Sequence, residues 1–243
     1  MKGIKMNKKF SVLVAPLIVL IIFSLAGCVE LDKLTKNINV SRLSQSDIAA
    51  GLKEALRVSS ETVVKNLGRT NGFNKDKVAH IVLPENLNKI RDKLKMIGFS
   101  GKLDDLELRI NRAAEKATPK AKQIFVNTIR EMKWDDVKKV YKGPNDAATR
   151  YFQNKMTPEL KKEMIPVINT ALNQVGAVRR YNEIAGKYNS LPFVKPVRSN
   201  LSDYTLNKTL DAVFHYLALE EAAIRKDPAK RTTALLKRVF GYK

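Results

Sequence analysis

The side chain with the most definite chemistry is the thiol of Cys28, the only cysteine among 243 residues. It follows Leu25-Ala26-Gly27 at the end of an apolar run from Phe10 to Leu25, behind a start that holds Lys2, Lys5, Lys8 and Lys9 and no acid. A basic start, an apolar middle and small residues before a cysteine read as a lipoprotein leader over residues 1–27. Cys28 is then the first mature residue and carries acyl chains, palmitate among them. Met1 and Met6 serve equally as the start. A plain membrane anchor is the alternative, but the apolar run falls short of the ~20 residues that span a bilayer. Two or more chains, at ~0.8 kcal/mol per buried methylene, give stable anchoring. Val29 stands where an Asp would retain the protein at an inner membrane, so the expected place is the periplasmic face of an outer membrane.

Carboxylates come next, because catalysis without a metal or thiol needs an acid or a base. Asn111 and Glu115 are four apart and share one helix face, beside the stripe Leu103, Leu106, Ile110, Ala113. Either they face a ligand or they latch a neighbouring element, and the latch is favoured. Glu220 falls in the run Leu206, Leu210, Val213, Leu217, Ile224, where a carboxylate must be paired or have a raised pKa. Glu221 with Arg225 at i+4 reads as an ordinary surface pair. Glu115 and Glu220 are thus the catalytic candidates if this is an enzyme. His80 and His215 lie far apart in sequence with no metal-ligand spacing, so no metal and no cofactor is expected. Phosphate-loop, dinucleotide and nucleophile-elbow motifs are absent.

Two further groups suit binding. Arg179, Tyr181, Asn182, Tyr188 and Asn189 surround Leu191-Pro192-Phe193-Val194, either as a pocket floor for a sugar or headgroup or as a buried loop pinning two helices. Arg225 and Arg231 open a basic C-terminal stretch whose apolar face (Leu235, Leu236, Val239, Phe240) lies on a membrane or docks on the body; docking is favoured.

The elements that must position these residues all read as helices. Ser46-Asp47 opens the first, which Gly68 ends, with Gly51 inside it as a mark of close packing. A loop over 68–77 and a short extended piece over 79–83 lead to Pro84, which starts a helix ended by Gly98. Gly101–Ala117 follows, then helices begun by Thr118-Pro119, Asn145-Asp146 and Thr157-Pro158, with a short one over 135–141 after the first of these and another over 178–188 before a loop over 189–202. Pro166 is a kink, Ser202-Asp203 opens a helix to Lys226, and Asp227-Pro228 opens the last, to Phe240. The fold class is all-α, an irregular compact multi-helix bundle of about eight to ten helices. Residues 28–45 form a lipidated tether and 46–243 a single domain.

The stretches Gly51-Leu-Lys-Glu-Ala-Leu-Arg57, Asn111-Arg-Ala-Ala-Glu115, Gly143-Pro144 with Ala147-Ala-Thr149, Leu191-Pro-Phe-Val194 and Arg231-Thr-Thr233 carry a family resemblance. In their order, from about 47 to 240, the chain resembles a domain-of-unknown-function family of bacterial envelope proteins. The resemblance implies an α-helical, secreted or lipidated protein. It implies no reaction.

The formal net charge is +21, four of its lysines lying in the leader. A chain this basic in the cytosol points to nucleic acid; behind an export signal it points to anionic lipid or glycan. The expected protein is therefore a lipid-anchored envelope protein that binds an anionic component without catalysis. Its partners are the membrane through Cys28, such a lipid or glycan, and no nucleic acid. A glycan hydrolase or lyase using Glu115 or Glu220, and an adaptor with an envelope protein partner, are the alternatives.

Overall fold

The computed structural model describes residues 43–241, and Leu43–Lys243 form one compact unit. The leader, Cys28 and most of the expected tether lie outside the described residues. Those described are all-α, as their periodicity requires.

Helix α1 (Gln45–Gly68) starts one residue before the expected opening. Ser44, not Ser46, caps it: the Asp47 amide donates to Ser44 Oγ (3.0 Å) and the Ser44 amide to Asp47 Oδ2 (3.1 Å), a reciprocal capping box. Its buried face carries Leu52, Leu56, Val63 and Leu67. An irregular segment then runs to Pro84. The single helix expected after Pro84 is two short ones, α2 (Glu85–Asn88) and α3 (Arg91–Met96). The break falls where the Asn88 side chain turns back, its Nδ2 donating to Leu83 O (3.0 Å).

Helix α4 (Ser100–Ala117) does not stop at a Thr118 cap. The Thr118 hydroxyl donates back to Ala114 O (2.8 Å), and a 3-10 turn over Thr118–Lys120 carries the chain into α5 (Ala121–Glu131). After α6 (Trp134–Lys142), α7 (Ala147–Gln174) is one helix of 28 residues where two were expected. Pro158 and Pro166 do not break it. Both sit on its exposed face, and the carbonyls they leave without a donor, on Asn154 and Lys162, face water. The opposite face stays buried throughout: Phe152, Met156, Leu160, Met164 and Ile168.

Gly176, at φ +71°, turns the chain into α8 (Ala177–Asn189). Asn200, not Ser202, caps α9 (Leu201–Lys226) by accepting from the Asp203 amide (3.1 Å). Asp227 caps only a 3-10 turn over Pro228–Lys230, and Thr233 caps the last helix, α10 (Ala234–Phe240). Helix α9 packs on α7 and α1, α4 on α7, and α10 on α1. Phe125 meets Phe152 and Phe214 edge-on in the centre, at ring distances of 5.6 and 6.5 Å.

The basic last helix docks, with Leu236, Val239 and Phe240 buried. Gly51 is what lets it approach. A Cβ on residue 51 would lie 2.4 Å from Val239 Cγ2. Replacing Gly51 by Ala gains up to ~1 kcal/mol in helix propensity but overpacks this contact by ~1–3 kcal/mol. Thermal unfolding should therefore show Gly51→Ala with a lower Tm, restored by adding Val239→Ala. A Tm above wild type for the single variant would refute close packing here.

Candidate functional site

Three side chains on α4, four residues apart, hold the irregular segment between α1 and α2. Asn111 pairs with both backbone groups of Ile81: the Ile81 amide donates to Asn111 Oδ1 (2.9 Å) and Asn111 Nδ2 donates to Ile81 O (2.8 Å). Glu115 Oε1 accepts from the amides of Phe73 (3.2 Å) and Asn74 (3.1 Å), while Oε2 accepts from Arg112 Nη1 (2.7 Å). Arg112 also donates to Asn71 Oδ1 (2.8 Å), and Asn71 stands at φ +67°. Glu107 accepts from the Leu83 amide (3.2 Å) and meets His80 Nε2 (2.9 Å). His80 Nδ1 lies 3.0 Å from Asn74 O. Both partners of this imidazole are acceptors, so both ring nitrogens must donate for the two bonds to form together. Asn111 and Glu115 are buried and turned toward the segment, not toward solvent.

The apolar run on α9 carries its carboxylate one residue later than expected. Glu220 is half-exposed, and Glu221, 5 % exposed, takes the buried place between Leu217 and Ile224. Glu221 is no surface partner of Arg225. Its oxygens accept from the amides of Ala148 and Thr149 (both 2.9 Å) and from the Thr149 hydroxyl (3.0 Å), at the N-terminus of α7. Arg225, beside it, donates to Glu221 (2.9 Å) and to Val140 O (2.8 Å), at the C-terminus of α6. An anion meets the free amides of one helix and a cation the free carbonyls of another, each matching the local dipole. Arg231 donates to Ile224 O (3.2 Å) and Arg225 O (3.1 Å), so neither arginine projects toward a ligand.

The aromatic group on α8 holds a loop instead of flooring a pocket. Tyr181 Oη accepts from the Ser199 amide (2.7 Å), Asn189 Oδ1 accepts from the Val197 amide (2.8 Å), and Tyr188 is buried. Arg179 and Asn182 are exposed. Phe193 stands wholly in solvent at the loop tip, 107 % exposed, at φ +58°.

One polar pocket gathers residues the sequence had left scattered. It encloses about 490 Å³ between the turn after α1 and the face of α9. Asn66, Arg69, Thr70 and Lys75 line one side, Tyr216 and Glu220 the other, above an apolar floor of Val63 and Leu67. Glu220 is the only candidate from the sequence that reaches it. Asp76 is its anchored member: Oδ1 accepts from the amides of Val78 (2.8 Å) and Ala79 (2.7 Å) and from Tyr216 Oη (2.7 Å). Burial raises the Asp76 pKa, but these donors and the nearby His215 outweigh it and hold the carboxyl below the usual carboxylate range. Burial and the bond to Asp76 push the Tyr216 phenol up to about 12. The composition of the turn, Gly68-Arg-Thr-Asn-Gly72, signalled a loop; nothing in it signalled that α9 would face it.

His80 and His215, remote in sequence, line one smaller pocket of about 320 Å³ with Lys208 and Asp211. Among the described residues no group of three or more His, Cys, Asp or Glu side chains is placed to hold a metal ion. Nor is any helix there long and apolar enough to cross a membrane.

A family model described as "Protein of unknown function (DUF4197)" matches residues 42–241. No curated protein and no solved structure matches.

Two outcomes follow from the geometry. Truncating Asn111 to Ala leaves two buried backbone groups of Ile81 without partners, at ~1–3 kcal/mol each. Amide exchange at Ile81 and its neighbours should accelerate well beyond that of the α7 core; uniform protection would remove the latch. The phenol result has a definite sign. A pKa raised in the fold adds stability that is full below the ordinary phenol value and is lost as pH climbs toward about 12. Burial also raises the phenols of Tyr151 and Tyr204, so absorbance titration at 295 nm should show several late-ionising tyrosines, with the component near pH 12 absent in Tyr216→Phe.

Proposed function

This chain belongs to the DUF4197 family, a family of unknown function, and from that premise we propose a lipid-anchored envelope protein that binds an anionic lipid or glycan without catalysis. In this reading Cys28 is acylated, residues 28–45 form the tether, and the helical body sits at the periplasmic face of an outer membrane. In it Asn111 and Glu115 serve the body's architecture.

The observation that carries the reading is how the charges divide. The buried carboxylates, Glu115 and Glu221, each accept three or more hydrogen bonds inside the fold. Glu115 is buried and committed to two backbone amides and Arg112, so it is not placed to reach a substrate, which argues against it as a catalytic acid. Many cations point outward instead. Lys138 and Lys139 on α6, with Lys155, Lys161 and Lys162 on α7, are exposed and have no carboxylate partner among the described residues. Unpaired surface cations in excess attract polyanions over roughly a Debye length, ~10 Å at 0.1 M salt.

Retention of the full-length protein on vesicles containing anionic lipid, and on an immobilised acidic glycan, should be strong at low ionic strength. It should fall at least tenfold near 0.5 M salt, about where the Debye length approaches 4 Å. Indifference to both surfaces at low salt would end the proposal. Metabolic labelling with a palmitate analogue should mark the wild type and leave Cys28→Ser unmarked.

Glu220 alone favours a second reading, a glycan hydrolase or lyase. It is half-exposed in the polar pocket and has no ion-pair partner among the described residues. Turnover of an envelope glycan by the wild type, abolished in Glu220→Gln at unchanged Tm, would establish it.

A further inference from the structure

We propose that the pocket between the turn after α1 and the face of α9 binds a small ligand with two carboxylates and one ammonium, the chemistry of a short acidic peptide. Arg69 and Lys75 receive the carboxylates and Glu220 receives the ammonium. The site goes beyond the general polyanion binding proposed above and stands independently of it.

Opposite charges face this pocket without neutralising one another. Arg69 and Lys75 line one side and Glu220 the other, and no ion pair joins them to each other or to Asp76. Elsewhere on this surface, cations within reach of a carboxylate close on it, as Lys102 does on Glu183 (2.8 Å) and Lys89 on Glu85 (2.7 Å). Here the backbone keeps them apart. Gly72 is pressed against α1 so closely that a Cβ would lie 2.4 Å from the carbonyls of both Asn66 and Leu67. Asn71, at φ +67°, is fixed by Arg112, and Glu115 holds the amides of Phe73 and Asn74. A rim fixed in advance loses little freedom when a ligand arrives, which favours affinity.

The free groups define the ligand. Asp76 takes three donors on Oδ1 and is held in the wall, where its fixed negative charge adds to that of Glu220 against a wholly anionic ligand. Two cations and one carboxylate remain, with the Asn66 amide and the Thr70 hydroxyl between them. A purely anionic ligand such as inorganic phosphate would meet the Glu220 charge. A neutral sugar would leave Arg69 and Lys75 without partners. Both mismatches discriminate against the wrong ligand. A volume of about 490 Å³ admits a dipeptide.

The test is isothermal titration of the full-length protein in mild detergent with the dipeptide Ala-Glu, which carries two carboxylates and one ammonium. Its N-acetyl form lacks the ammonium, and the Ala-Gln amide lacks both carboxylates. Wild type should bind Ala-Glu saturably and each altered form at least tenfold more weakly. Glu220→Gln should lose the preference for a free ammonium and keep the preference for carboxylates. Arg69→Gln with Lys75→Gln should do the reverse. None of these three side chains makes an internal bond, so Tm should not move. Absent binding of Ala-Glu, equal binding of all three compounds, or selectivity unchanged in the variants would overturn the site. Phosphate binding more tightly than Ala-Glu would do the same. Retention on anionic vesicles is scored separately, so either proposal can fail alone.

Discussion

Some fifteen residues between α1 and α2 form neither helix nor strand, yet part of that segment is buried, and its amides and carbonyls must find partners. The ladder on α4 supplies them. Glu107, Asn111 and Glu115 present an acceptor, an acceptor–donor pair and another acceptor along one face, one helical turn apart. Remove that ladder and Phe73, Ile81 and Leu83 lose the bonds that let them remain in the core. The polar pocket and the smaller histidine-lined one both depend on it, because the same segment forms a wall of each.

Glu221 and Arg225 solve the same problem at another place. Helix α6 ends and α7 begins within a few residues, leaving carbonyls and amides side by side in an enclosed region. One carboxylate and one guanidinium, i and i+4 on α9, satisfy both ends at once. Such a buried pair owes little of its worth to the attraction between its own charges. Its worth lies in the helix ends it satisfies, since an isolated partner would be left desolvated. Among the described residues, no buried side-chain nitrogen or oxygen lacks a hydrogen-bond partner.

Much of this was legible in the sequence, and the misses share a cause. The all-α class, the docking of the last helix, the close approach at Gly51 and the latch reading of Asn111 and Glu115 follow from apolar spacing and local chemistry. What failed depended on a third element. Glu220 and Glu221 are adjacent, and the apolar run around them admits either. Only the arrival of the α7 N-terminus selects Glu221. Thr118-Pro119 and Thr157-Pro158 carry the same start signal, yet both lie within continuing helical chain. Buried residues keep their spacing across them, and Pro119 and Pro158 themselves stand exposed. The pocket was invisible for the same reason. Arg69 and Glu220 are about 150 residues apart, and no local pattern announces that they will face each other.

The seating of α10 over Gly51 also bears on how the molecule is made. The first long helix is covered near its beginning by the final one, with Arg238 paired to Asp47. A ribosome that has delivered everything through α9 has produced a polypeptide in which α1 still shows an uncovered apolar groove. Closure waits for the last stretch to emerge. A product that stops short of α10 therefore leaves that groove open to proteases and chaperones.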